Sequence, residues 1–95
     1  YTGFNGYVYF KGNGTSGNKG FMDGQLLSME LNCNAGTLHF FVDSKQQRVF
    51  VRGINEPVKF FFELWQKGSS FAITPVKCLD FPTVKTLPKS EAVQW

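Results

Sequence analysis

Histidine occurs once in this chain, at His39, and cysteine twice, at Cys33 and Cys78. A lone imidazole lacks the second group that acid–base or nucleophilic catalysis requires. His39 therefore reads as a surface or cross-strand packing residue. Two cysteines so far apart make no zinc set, which takes four ligands in closely spaced pairs. They are also too few for a disulfide-framed secreted domain, and they read as reduced, partly buried thiols of a cytoplasmic protein. No apolar run approaches the roughly 20 residues of a membrane-spanning helix, and no secretory leader is read at Tyr1. The ten Lys and Arg residues are scattered, with a formal net charge of +3. Without a basic block there is no nucleic-acid footprint. The acids Asp23, Glu30, Asp43, Glu56 and Glu63 fall on separate turns and strands, so no carboxylate pair is suggested. The glycine-rich stretch GNGTSGNKG, residues 12–20, lacks the Gly-Lys-Ser/Thr ending and the helix of a phosphate loop. The expectation is a chain that is not an enzyme, holds no cofactor and no metal, and contacts neither nucleic acid nor membrane.

Aromatic residues are abundant instead. Eleven Phe, three Tyr and two Trp make up 17% of the 95 residues, a composition that suits pleated, half-buried surfaces. Short alternating runs recur between polar turns. Tyr7–Phe10 reads as a strand, and residues 12–20 as a loop with nothing to anchor a core. In 25–32, Leu27, Met29 and Leu31 alternate with Ser28 and Glu30. After a turn at 32–36, Leu38, Phe40 and Val42 share one face of a strand, and Thr37, His39, Phe41 and Asp43 the other. Residues 44–47 turn again, Val49–Val51 return, and 53–57 make a further turn before Pro57. In 58–65, Val58, Phe60, Phe62 and Leu64 oppose Lys59, Phe61, Glu63 and Trp65, and 69–74 form a last strand with Phe71 and Ile73 inward. The tail, 76–95, reads as extended chain packed over the body with one short added strand. Its SEAVQW ending is the sole candidate for a helical turn, too short to stand alone. The class is all-β: an antiparallel two-layer β-sandwich in a single domain, 1–95. Asn13-Gly14-Thr15 fits the glycosylation sequon, which matters only in a secreted protein.

Two blocks, GQLLSMELNCNAGTLHFFVD and RVFVRGINEPVKFFFELWQKGSSFAI, together residues 24–74, resemble the C-terminal half of a SPRY domain. Asn32–Asp43 carries a polar turn followed by Gly-Thr-Leu-His-Phe-Phe-Val-Asp. Pro57–Ile73 carries a hydrophobic strand, a Lys-Gly-Ser-Ser turn and a final strand. The resemblance implies a concanavalin-like jelly-roll sandwich and a non-catalytic adaptor that recognises a peptide or partner protein through its loops. The family's N-terminal strands have no counterpart before Tyr1, and a chain opening there rather than on Met is expected to be incomplete. Such a portion would have open sheet edges and an uncovered inner face, and would associate with a second copy or a complementing chain.

The candidate binding residues are Phe41, Phe61 and Trp65, whose side chains fall opposite the core sets, with Arg52, Asn55, Glu56 and Lys67 as polar anchors on the loops. Large apolar patches mark interaction sites, although a second layer, the tail or another subunit is the more economical cover for such a face. A carbohydrate-binding, lectin-like sandwich is the competing reading, suggested by Trp65 near Asn55 and Gln66 and weakened by the lack of an acidic calcium cluster. Period-two patterning places Phe60 inward. Phe60→Ala is expected to cost about 3–5 kcal/mol in urea unfolding, and a near-neutral result would mean that the two faces of 58–65 are reversed.

Overall fold

The computed structural model describes residues 1–3, 5–57 and 82–95, and these form strands and turns without helix. The strands expected over 58–65 and 69–74 lie outside the described residues. Seven strands are defined: β1 (Val8–Phe10), β2 (Asn13–Thr15), β3 (Leu27–Asn32), β4 (Thr37–Val42), β5 (Lys45–Gln46), β6 (Val49–Arg52) and β7 (Glu91–Gln94). β1 and β2 form a hairpin by themselves. The other five make one sheet in the order β3-β4-β6-β7, with β5 also paired to β4. The all-β expectation holds for the described residues.

Turn chemistry fixes the two tight hairpins. Lys11 and Gly12 link β1 to β2 with φ of 51° and 83°. Asp43 and Ser44 link β4 to β5 with φ of 48° and 67°. Positive φ at both central positions is what a two-residue hairpin turn requires. Asp43 tolerates it and uses its carboxylate as well, accepting from Leu26 N and Gln25 Nε2, both at 2.9 Å. Those bonds, the backbone one first, hold the Asp43 carboxyl below the usual carboxylate range.

Register divides β4 into the two faces its alternation suggests. Met29 pairs with Phe40 and Leu38 with Val51, so these side chains share one face. Val8 of β1 joins Phe40, Val49 and Val51 in the buried cluster, with Tyr1, Met29, Leu38, Ile54 and Val93 packed around it. The Tyr1 ring lies 4.9 Å from that of Phe40. The N-terminal segment thus forms a layer over the centre of the sheet's core face, where the resemblance led to the expectation of an uncovered face.

The return from β4 is interrupted. Phe41 faces Gln46 and Leu38 faces Val51, so three steps along β4 are matched by five along the returning chain. Gln47 N still donates to Phe40 O at 2.8 Å, so the two extra residues form a bulge between Gln47 and Val51, and because their number is even the side chains of β6 keep their faces. Within it, the buried Asn18 amide clamps Val49. Its Oδ1 accepts from Val49 N at 2.7 Å, and its Nδ2 donates to Val49 O at 2.9 Å. This corrects the reading of 12–20 as a loop that anchors nothing. Residues 13–15 are strand, and Asn18 supplies the backbone pairing that the bulge removes.

The C-terminal residues add the short strand expected of the tail, and it is SEAVQW, the candidate helical turn, that forms it. Residues 91–94 form β7, whose Val93 packs against the core. β7 runs parallel to β6, in the register Val49↔Glu91 to Arg52↔Gln94, so the sheet is mixed rather than antiparallel. Glu91 N donates to Arg48 O at 2.9 Å, so β7 begins at the bulge.

Asn18→Ala is expected to lower stability by about 2–4 kcal/mol, because it leaves a buried N–H and a buried C=O unpaired at Val49. Urea unfolding measures it. A change within about 0.5 kcal/mol, the range of an ordinary surface substitution, would mean that water serves Val49 as well as the amide does.

Candidate functional site

Two loops meet at the Thr37 end of β4. In the first, the Asn32 carboxamide oxygen accepts from Asn34 N at 3.1 Å and Ala35 N at 3.0 Å, and Gly36 N donates to Asn32 O at 2.8 Å. This Asx-type turn explains why asparagine opens the NCNAG stretch. The second loop leaves β6 after Arg52. Ile54 N donates to Gly36 O at 3.0 Å and locks the two loops side by side. The junction requires glycine at 36: φ is +67°, and a Cβ there would stand 2.7 Å from Ile54 O.

Between the loops lies a cleft of about 460 Å³, with Leu31, Cys33 and Ile54 among its walls and Asn55, Glu56 and Pro57 at its rim. Cys33 is exposed here, not partly buried as expected. Glu56 holds Trp95, accepting from the indole Nε1 at 3.0 Å. The half-exposed Trp95 ring packs 5.3 Å from Phe10, and Lys11 Nζ stands 5.3 Å from the centre of the Phe10 ring. Arg52 Nε donates to Gln94 Oε1 at 3.0 Å. One end of the molecule therefore carries an apolar cleft, a carboxylate, a carboxamide, a guanidinium and an aromatic pair.

Of the candidate binding residues, the structure brings Arg52, Asn55 and Glu56 together at this end. Phe41 stands apart from them. It is half-buried on β4 towards the Asp43 turn, opposite Ser28 and Gln46. Phe61, Trp65 and Lys67 lie outside the described residues, and with them the patch that Phe41, Phe61 and Trp65 were expected to form. Trp95 was missed as a site residue because it sits beyond any alternating run. The signal available was an aromatic beside Gln94 in an otherwise polar stretch.

The second face of β4 carries Glu30, His39, Phe41 and Gln46 in facing pairs across the sheet. Residues 83–89 cross this face. The Glu30 carboxylate accepts from Thr83 N at 3.2 Å and from the Thr83 hydroxyl. Gln46 accepts from Lys85 N at 2.8 Å and donates to Lys85 O at 2.6 Å. Arg48 bridges Gly17 O at 3.2 Å and Lys89 O at 3.0 Å. The tail is thus strapped over the sheet at three points. His39 is not a surface residue. It is 8% exposed, and its ring lies 4.4 Å from Phe50 and nearly parallel to it. Its Nδ1 is buried without a partner among the described residues.

Burial pushes the His39 pKa below its ordinary 6.5, against the opposing pull of the Glu30 charge. The folded chain takes up this proton less readily than the unfolded chain does. The contribution of His39 to stability is accordingly full above pH 6.5 and declines as pH falls below 6.5 towards the lowered folded-state value. His39→Phe keeps the stack and removes the titration. The unfolding midpoint of the parent is expected to fall relative to this variant between pH 6.5 and 5, and parallel curves would show that His39 titrates as it does in water.

Among the described residues no group of His, Cys, Asp and Glu is placed to hold a metal ion, and no helix is long and apolar enough to cross a membrane. No family model, curated protein or solved structure matches this chain.

Proposed function

We propose that the chain is a protein-interaction module of the SPRY type, a non-catalytic cytoplasmic adaptor that holds a short peptide segment of a partner protein across the cleft between loops 32–36 and 53–57. The observation that carries this reading is the docking of Ile54 on Gly36, which fixes an apolar cleft with Asn55 and Glu56 at its rim and Trp95 beside it. A concave apolar site with a few fixed polar groups is how proteins select small or extended ligands. Loops mounted on a rigid sheet are where such sites reside. Trp and Arg are the residues that most often dominate interface energies, and Trp95 and Arg52 stand at this end of the sheet, each tied to a neighbour by a hydrogen bond. The resemblance of residues 24–74 to the C-terminal half of a SPRY domain supplies the family and the jelly-roll topology of this proposal.

Peptide binding in this mode gives a definite mutational pattern. Peptides enriched by display selection on the purified chain are expected to lose at least about ten-fold in affinity on Asn55→Ala or Trp95→Ala, the loss of roughly 1.4 kcal/mol that separates a contributing contact from a neutral one. Both variants should retain the parent melting temperature within a few degrees. Selection that enriches no peptide, together with hits on a glycan array, would favour the carbohydrate-binding sandwich instead.

A further inference from the structure

A second cleft, of about 300 Å³, lies between the strap and the sheet. Its floor is the His39–Phe50 stack, its apolar wall Val84 and Leu87, and its polar lining includes Arg48 and Lys85. The strap is pinned at Lys85 by Gln46 and at Lys89 by Arg48, so residues 86–88 span the opening between two anchors.

The lining is rich in donors and poor in acceptors. Both ends of the Gln46 carboxamide are committed to Lys85 backbone. The Gln47 carboxamide accepts from Lys19 N and donates to Lys45 O. Among the described residues no acidic side chain lines the cleft, and the Glu30 carboxylate, which faces His39 across the sheet, is committed to Thr83. The Lys85 ammonium and the Thr86 and Ser90 hydroxyls make no hydrogen bond to another described residue, and Arg48 Nη2 is left over once Nε and Nη1 are used. His39 adds a further donor. Its sealed, unpartnered Nδ1 is the nitrogen that lacks the proton, because an orphaned buried N–H is rarer than an orphaned acceptor. The proton then sits on Nε2, the ring nitrogen left to serve as a donor. A neutral imidazole N–H, an ammonium and a guanidinium edge surround a flat apolar floor.

We infer that this cleft binds a small organic oxyanion: a carboxylate or phosphate group meeting Lys85, Arg48 and the His39 Nε2–H, carried on an apolar body that lies against Phe50, Val84 and Leu87. Charge-assisted hydrogen bonds to an oxyanion are the strong ones, and each donor named here has capacity beyond its bonds to the described residues. The site stands on a different face from the loop 32–36 and 53–57 cleft and does not rest on the peptide reading.

The test is an NMR titration of the ¹⁵N-labelled chain with three probes: sodium benzoate, the neutral benzyl alcohol, and inorganic phosphate. Benzoate is expected to shift the amides of residues 84–87 and Phe50 saturably, with an affinity at least ten-fold above that of benzyl alcohol. Lys85→Met keeps the backbone pairing with Gln46, and it should weaken benzoate at least ten-fold while the rest of the spectrum is unchanged. His39→Phe, which keeps the stack but removes the donor, should weaken it as well. Phosphate binding as tightly as benzoate would place the recognition in the anion alone, and weaker phosphate binding would show that the apolar body contributes. Equal affinity for benzoate and benzyl alcohol, indifference to Lys85→Met, or no shifts at the strap amides would each overturn the assignment.

Discussion

The structure depends on how one interruption in a β-ladder is repaired. The strand returning along β4 carries two extra residues between Gln47 and Val51, and the start of β6 is left without part of its cross-strand pairing. A buried backbone group without a partner costs about as much as a lost hydrogen bond. Asn18, arriving from the glycine-rich segment, pairs both polar groups of Val49 with one carboxamide. Asparagine suits this role because its side chain carries a donor and an acceptor side by side, as a peptide bond does. The repair joins distant parts of the chain. It ties the N-terminal segment to the central sheet at Val49, the one fully buried side chain of the described core. It also leaves Arg48 free to reach Gly17 and Lys89, and it exposes Arg48 O to the amide of Glu91, where β7 begins.

That arrangement gives β4 two different neighbours. Phe40 faces an apolar layer made with the N-terminal segment, where burial contributes in proportion to area, and Val42 is buried on the same face of the strand. His39 and Phe41 face the strap, which is held by carboxylate, carboxamide and guanidinium contacts rather than by burial of large apolar groups. Bulky side chains on both faces of one strand are therefore consistent with a sheet covered on one side by a packed layer and crossed on the other by a polar strap. The strap leaves a donor-lined cleft beneath it, and the loops at the far end of β4 leave an apolar one.

The candidate site was partly legible in the sequence. Arg52, Asn55 and Glu56 were readable because a polar turn ending in proline marks a loop, and loops at a sheet end gather ligand-contacting groups. Phe41 was selected by alternation alone, which assigns a face but not the cover on that face. Trp95 and Lys85 lie in a stretch with no periodicity, so nothing local tied them to Glu56 or to Gln46. His39 was read as either a surface or a cross-strand packing residue because its strand face is partly polar, and alternation does not choose between the two. Its burial comes from Phe50, whose place beside it depends on the even number of residues in the bulge.

The sequence by itself determined the strands β3, β4 and β6, and the alternating sets of β3 and β4, because period-two alternation and turn residues act over a few positions. It did not give the hairpin turns closely: the Lys11-Gly12 turn lies at the edge of what reads as a loop, and the turn expected over 44–47 is the tighter Asp43-Ser44 pair, with residues 45–46 in β5. The tertiary structure alone decided the parallel pairing of β7 with β6, the clamp of Asn18 on Val49 and the strap across Glu30 and Gln46. Each of these joins residues more than thirty positions apart through backbone amides or carbonyls or single polar side chains. Such groups are present at nearly every position, so composition and spacing do not single out the pair that meets.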